Sequence, residues 1–214
     1  MKNMIIFDLD GTLWDTAEAT HKFVNDYLKE NGYSFEVSQD VIVENMGYEF
    51  DVCAEHYFPK LDKKDALLLL EKIYEKESEQ LDKGLIIGKI YPNVTETFEK
   101  LSKKYYVCIV SNCSNDSYIE SFLRTANVSS YVTDYLAASN YFISKAEAIR
   151  KIKNKYQAEK VIYVGDTLKD QVSAVDAGGT FVYAKYGFGD QLYSKYSIQD
   201  IKEMVTLTSY IFEE

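Results

Sequence analysis

From residue 105 onward the chain alternates short apolar runs with amphipathic ones, and that rhythm leaves few folds open. "YYVCIVSN" (105–112), "KVIYVGD" (160–166) and "TFVYA" (180–184) are each of strand length and apolar almost throughout. Between them, "DSYIESFLRTA" and "LKDQVSAVDAGG" carry apolar residues at helical spacing, the second ended by Gly178 and Gly179. A further short strand is expected near "DYLAAS", followed by the helix "KAEAIRKIKNKY". Such alternation predicts an α/β fold, a parallel Rossmann-like sheet wrapped by helices on both faces. "MIIFDLD" at 4–10 adds a buried strand to the same sheet. The last helix is expected to carry Ile198, Ile201, Met204, Val205 and Phe212 on one apolar stripe.

The first strand is separated from the others by a block that reads as helix from Ala17 to Leu81. Phe23, Val24, Tyr27 and Leu28 share one face of its first helix, which stops near Gly32. The longest helix starts at an N-cap, Asp62, and lines up Ala66, Leu69, Leu70 and Ile73. Two short helices broken near Gly47 lie between, and "KGLIIGKIYPNV" (83–94) reads as a return linker. The expected organisation is a core of residues 1–15 and 90–214, with a small all-helical domain, 16–89, inserted after the first strand.

Composition narrows the partners. Among 214 residues the net charge is −10 and no basic run exceeds two residues, which argues against nucleic acid or an anionic membrane. The longest apolar run, "ALLLL", falls far short of the roughly 18 residues of a membrane helix. Asp8 and Asp10 interrupt the one N-terminal stretch that resembles a signal peptide. Cys53, Cys108 and Cys113 are too scattered for a disulfide framework, so they are expected to be small packing residues in a reducing cytoplasm. A monomer or homodimer is expected.

In an open parallel sheet, ligands bind beyond the carboxyl ends of the strands. Here those ends carry Asp8 and Asp10, then Ser111 and Asn112, then Asp166, with Asp170 four residues on and Lys145 opening a helix. Asp8 and Asp10 are two apart, so both can face one side while Leu9 points to the core. Carboxylates this close need a cation or a shared proton, and a hard divalent ion such as Mg²⁺ supplies the first. One acid can then attack phosphorus while the other serves as general acid and base. Gly11 permits a tight turn whose amides can bind phosphoryl oxygens, and Lys145 and Ser111 supply charge and a donor. Four acids, a hydroxyl and a lysine on one rim make a site for moving a phosphoryl group.

"DLDGT" after an apolar strand resembles the first motif of the haloacid-dehalogenase-like hydrolases, specifically their aspartate-nucleophile phosphatases with a helical cap, phosphoglycolate phosphatases among them. "VSN" resembles the second motif, Lys145 the third and "GDTLKD" the fourth, in the family's order. Ala146 stands where many relatives have proline. The resemblance implies Asp8 as nucleophile and Asp10 as general acid/base. It also implies Mg²⁺ held by the Asp8 side chain, the Asp10 carbonyl and Asp166, with Asp170 nearby. The phosphoryl group would be held by Ser111, Asn112 and Lys145; Leu9 and Thr12, in the first-motif turn, complete that set. The implied activity is hydrolysis of a small phosphorylated metabolite; a sugar phosphomutase on the same scaffold is the alternative. Asp166 and Asp170 also stand where they would cap the next helix. His21 and His56 form no ligand spacing and are expected to be structural. "NMGYE" (45–49) at the helix junction is a candidate to set specificity by pointing Met46, Gly47 and Tyr48 at the leaving group, and "KYGFGD" (185–190) after the last strand to line the entrance, with Phe188 touching the cap.

Overall fold

Every residue of β1 (Met4–Phe7) is fully buried, and its side chains go alternately to two separate cores. Ile5 and Phe7 join Val107, Ile109, Ile162 and Val164 on one face; Met4 and Ile6 join Cys108, Val110 and Tyr163 on the other. A strand covered on both faces belongs in the middle of a sheet flanked by helices. The computed structural model, which describes residues 2–84, 88–113, 115–189 and 192–214 except for the Asp82 side chain, has that architecture.

After β1 the chain forms the two-residue strand β2 (Trp14–Asp15) and four helices, α1 (Ala17–Glu30), α2 (Gln39–Asn45), α3 (Phe50–Tyr57) and α4 (Lys63–Asp82). Ser38 and Asp62 accept amide bonds as the N-caps of α2 and α4. The four helices share a hydrophobic cluster of their own, with Leu28, Ile42, Ala54 and Leu70 at its centre. The chain returns through β3 (Lys89–Ile90), antiparallel to β2 with Trp14 opposite Ile90.

The remainder alternates strictly at first: α5 (Val94–Ser102), β4 (Tyr106–Ser111), α6 (Asp116–Thr125), β5 (Asp134–Ala137), α7 (Lys145–Lys155), β6 (Val161–Gly165), α8 (Leu168–Asp176) and β7 (Thr180–Ala184). β8 (Tyr196–Ile198) and α9 (Met204–Glu213) close it. The six-stranded sheet runs β5-β4-β1-β6-β7-β8, every pair parallel. Strand order reverses at β1, so the loops leaving β1, β4 and β6 part there and open a crevice at their carboxyl ends.

Two expectations change. The 83–94 linker contains β3 rather than being irregular throughout; a two-residue ladder is too short to leave a periodic signal, and residues 85–87 lie outside those described. Ile198 belongs to strand β8, not to the final helix: it pairs with Ala184, and Tyr196 and Ile198 alternate inward around Ser197. The Asp200 carboxylate then accepts the Lys202 amide and starts a 3-10 turn ahead of α9. The three cysteines are buried and unpaired. Among the described residues no helix is long and apolar enough to cross a membrane.

Candidate active site

Asp8 leaves β1 with its amide still bonded to Val164 O at 2.8 Å, so the backbone stays in the sheet while the carboxylate reaches the rim. The chain then turns sharply. Thr12 and Leu13 amides both bond Leu9 O, and Gly11 sits at φ +78°. A Cβ at Gly11 would lie 2.2 Å from Asp166 Oδ2, so both the left-handed backbone and the close approach require glycine. The Gly11 amide bonds Trp14 O and the Thr12 amide Leu9 O, whereas no backbone acceptor meets the amides of Leu9 and Asp10 among the described residues. The Leu9 side chain is fully buried in the core, so this residue can reach a ligand only through its backbone.

Three elements bring the charges together. Asp8 comes from β1, Asp166 from the end of β6 and Asp170 from the first turn of α8, and carboxylate oxygens of the three lie within 4.8 Å of one another. All are buried. Lys145, the first residue of α7, reaches in with its Nζ 3.0 Å from Asp8 Oδ1 and 2.6 Å from Asp170 Oδ1. The ammonium is itself 4% exposed, so a single cation faces three buried acids. Removal from water pushes the Asp8 carboxyl up to about 7; the Lys145 charge opposes this and Asp170 reinforces it. Burial also raises Asp166 well above the carboxylate range, with Asp170 and Asp8 adding to it. Burial would lower Lys145, but the Asp170 and Asp8 charges outweigh it and hold the proton firmly. One positive charge leaves this cluster electrostatically incomplete, and hard carboxylate oxygens at this spacing are the donor set of a Mg²⁺-sized ion.

Each acid is also held in place. Asp170 completes a capping box: its Oδ2 accepts Thr167 N at 3.0 Å and Thr167 Oγ1 at 2.7 Å, which aims Oδ1 at Lys145. Asp166 Oδ2 accepts the amides of Phe188 (2.7 Å) and Gly189 (3.2 Å), and its Oδ1 accepts the Thr12 hydroxyl at 3.4 Å. The loop after β7 lies so close that a Cβ at Gly189 would fall 1.9 Å from Asp166 O. "KYGFGD" therefore wraps the acid; Asp190, its last residue, lies outside the described residues. Tyr163 donates to Val110 O (2.8 Å) and leans on Asp8 Oδ1 at 3.4 Å.

Asp10 is set apart from this trio. Its Oδ1 accepts three bonds, from Thr16 Oγ1 (2.7 Å), Tyr118 OH (2.9 Å) and Trp14 Nε1 (3.0 Å). Trp14 and Tyr118 meet edge to face at 5.3 Å, which fixes both donors. Burial raises the Asp10 carboxyl, and those hydrogen bonds only partly offset it. The group faces a space of about 60 Å³ that helices α2, α3 and α4 close from the other side.

Of the remaining expected residues, Ser111 ends β4, the strand paired with β1, and is buried. Asn112 donates its Nδ2 to Gly47 O at 3.0 Å, tying the core to the "NMGYE" junction. Lys169 adds a second tie, 3.1 Å from Glu49 Oε2 and over the Tyr48 ring. His56 contacts Asn45 through its ring, and among the described residues neither histidine joins the group of acids that could hold a metal ion. Sequence reasoning missed Trp14, Thr16, Tyr118, Tyr163 and the Phe188–Gly189 amides. Trp14 and Thr16 stand four and six residues beyond Asp10, a readable cue; Tyr118, 108 residues away, left none.

Comparison with known proteins shows the family and the fold. The family described as "Haloacid dehalogenase-like hydrolase" matches residues 5–184. Phosphoglycolate phosphatase of Rhodobacter capsulatus is 25% identical over 194 residues, 88% of this chain and 86% of that protein. The enzyme of the same name from Aquifex aeolicus is 26% identical over 191 residues, covering 86% and 85%. Among solved structures, a predicted phosphoglycolate phosphatase from Haemophilus somnus superposes with a TM-score of 0.81 at 20% identity, over 97% of this chain and 98% of that one. A haloacid dehalogenase-like family hydrolase from Streptococcus pneumoniae gives 0.78 at 20% identity, over 97% and 98%.

Proposed function

Since the chain belongs to the haloacid dehalogenase-like hydrolases, we propose that it is a Mg²⁺-dependent phosphatase of small phosphate monoesters that works through a phosphorylated Asp8. The carrying observation is the buried trio Asp8, Asp166 and Asp170 with Lys145 bonded to two of its members. Asp8, Asp166, Asp170 and the Asp10 carbonyl would hold Mg²⁺, which when bound neutralises charge on the phosphoryl oxygens.

The Asp8 carboxylate attacks phosphorus and the bond to the ester oxygen breaks. The leaving oxygen takes a proton from Asp10, whose raised affinity for it suits a general acid. Asp10 then takes a proton from water, the water oxygen attacks phosphorus, and the bond to Asp8 breaks. Inorganic phosphate leaves and both acids are restored. Lys145 holds Asp8 in line and, with Ser111, Asn112 and the amides of Leu9 and Asp10, meets the charge that builds on the phosphoryl oxygens. Thr12 positions Asp166 through its hydroxyl.

Helices α1–α4 form the cap in this reading, residues 16–89 inserted into a core of 1–15 and 90–214, with Asn112 and Lys169 latching it shut. Closure excludes water during the first transfer. The small space beside Asp10 favours hydrolysis over a mutase, which must turn a sugar bisphosphate around. The same reading puts the enzyme in the cytoplasm as a monomer or homodimer, with no nucleic-acid or membrane partner. Phosphate release from p-nitrophenyl phosphate, with and without EDTA, tests it. Turnover restored by Mg²⁺ is expected; activity equal in EDTA would refute the metal assignment, and none under either condition would refute the phosphatase.

A further inference from the structure

The proposed chemistry uses one wall of the space beside Asp10 and leaves the opposite wall unexplained. That wall presents Glu77 of α4, a glutamate 4% exposed. Among the described residues no hydrogen-bond donor or cation meets its carboxyl, although every other deeply buried acid here has such partners. Burial, with the Asp10 charge behind it, pushes the group up to about 8. Among the described residues the carboxyl oxygens are not sealed in the packing but open onto the space, and nothing in the packing of α4 calls for an acid at this buried position. Leu69, Leu70 and Ile73 already bury the helix against α1–α3.

The rest of the lining sharpens the reading. Tyr57, Tyr74, Asn45 and Tyr118 stand in its walls beside Glu77 and Asp10, and no lysine or arginine lines the space among the described residues. Lys169 is engaged by Glu49 and the Tyr48 ring and is not part of it. The neighbouring cleft, which shares Tyr74 and Asn112, is walled by Glu49, Asp51, Glu71 and Glu75, with Lys145 as its one cation among the described residues. Approach to the site is thus through negative surroundings.

This bears on the leaving group, given the phosphatase reading on which the argument rests. An ester oxygen protonated by Asp10 must lie next to it, so the leaving alcohol extends into the space between Asp10 and Glu77. We infer that Glu77 is a specificity residue that receives an ammonium group on a short leaving alcohol, so that the substrate class is the phosphate ester of a small amino alcohol. The space, about 60 Å³, admits about four to six non-hydrogen atoms, which fits a two- or three-carbon amine. A bound ammonium would draw Glu77 into its charged form, whereas a carboxylate at the same place would find no lysine or arginine among the described lining residues, so the phospho-acid named for the curated relatives is disfavoured.

Titration calorimetry on Asp8→Asn protein with Mg²⁺ reads binding without turnover. Phosphoethanolamine should bind at least about tenfold tighter than phosphoglycolate, with the neutral ester ethyl phosphate between them. Adding Glu77→Gln should collapse the first ratio to within about threefold while Asn45, Tyr57 and Tyr74 keep the shape of the site. The kcat/KM ranking of the three esters with the otherwise unaltered chain, and its collapse in Glu77→Gln, is the second readout. Phosphoglycolate binding as tightly as the amine, or a ranking insensitive to Glu77→Gln, would overturn the inference. The same binding order without hydrolysis of any ester would instead sink the phosphatase reading and, with it, the leaving-group role, while keeping Glu77 as the ammonium contact.

Discussion

Replacing Glu77 by glutamine should stabilise the protein, by an amount that grows with pH. The carboxyl is ordinarily half-protonated at 4.5 and is pushed up to about 8 by burial, with the Asp10 charge adding to it. The folded state therefore holds this proton more tightly than the unfolded chain does. Its contribution is fully favourable below pH 4.5 and is lost as pH rises through about 8. With each unit of displacement equivalent to about 1.4 kcal/mol, the side chain costs under about 1 kcal/mol at pH 5, about 3 at pH 7 and about 5 by pH 9. Glutamine has nearly the same shape and never ionises, so the cost disappears. Urea unfolding of wild type and Glu77→Gln in EDTA at these three pH values measures the difference, because Asp8, Asp10 and Asp166 are present in both proteins. The gap should widen by about 4 kcal/mol from pH 5 to pH 9. A gap constant across that range would show that Glu77 finds a charge partner or water, and the picture of an unpartnered carboxyl would be wrong.

Other perturbations follow from the same contacts. Asp8→Asn should lower kcat by roughly 10³-fold or more with far-ultraviolet circular dichroism unchanged, since the nucleophile is lost but the β1 backbone bonds remain. Lys145→Met removes the one cation bonded to Asp8 and Asp170 and should destabilise the metal-free protein by about 3–5 kcal/mol in urea unfolding. Millimolar Mg²⁺ should recover part of that loss. Gly189→Ala places a methyl 1.9 Å from Asp166 O, so the loop must shift and withdraw two amides from the carboxylate. It should cost about 1–3 kcal/mol and reduce the rise in Tm that Mg²⁺ produces.

The parallel sheet was legible because its strands are buried on both faces and so read as unbroken apolar runs between amphipathic helices. β1 is the clearest case, its four residues fully buried and divided between two cores. The helical stretch α1–α4 was legible for the opposite reason, as sixty-odd residues with helical and never alternating spacing. β2, β3 and β8 were not, since two or three residues cannot establish a period, and Ile198 happened to fall in phase with the helix that follows. At the site, strand-end acids stood out because carboxylates are improbable next to fully buried strands. Their supports did not stand out. Tyr163 looks like any core aromatic, Tyr118 like any amphipathic-helix residue, and the Phe188 and Gly189 amides have no side-chain signature at all. Glu77 was hidden among the acids of α4, where burial alone separates it from Glu75 and Glu79.

The first transfer is defined by the atom that receives the phosphoryl group. Rapid acid quench of the protein turning over an intact phosphate ester with Mg²⁺, followed by peptide mass spectrometry, tests that directly. One phosphoryl group on the peptide carrying Asp8, absent in Asp8→Asn and chased away by excess water-driven turnover, is the predicted result. A phosphoryl group on any other residue, or none at any quench time while phosphate is released in a burst, would contradict it.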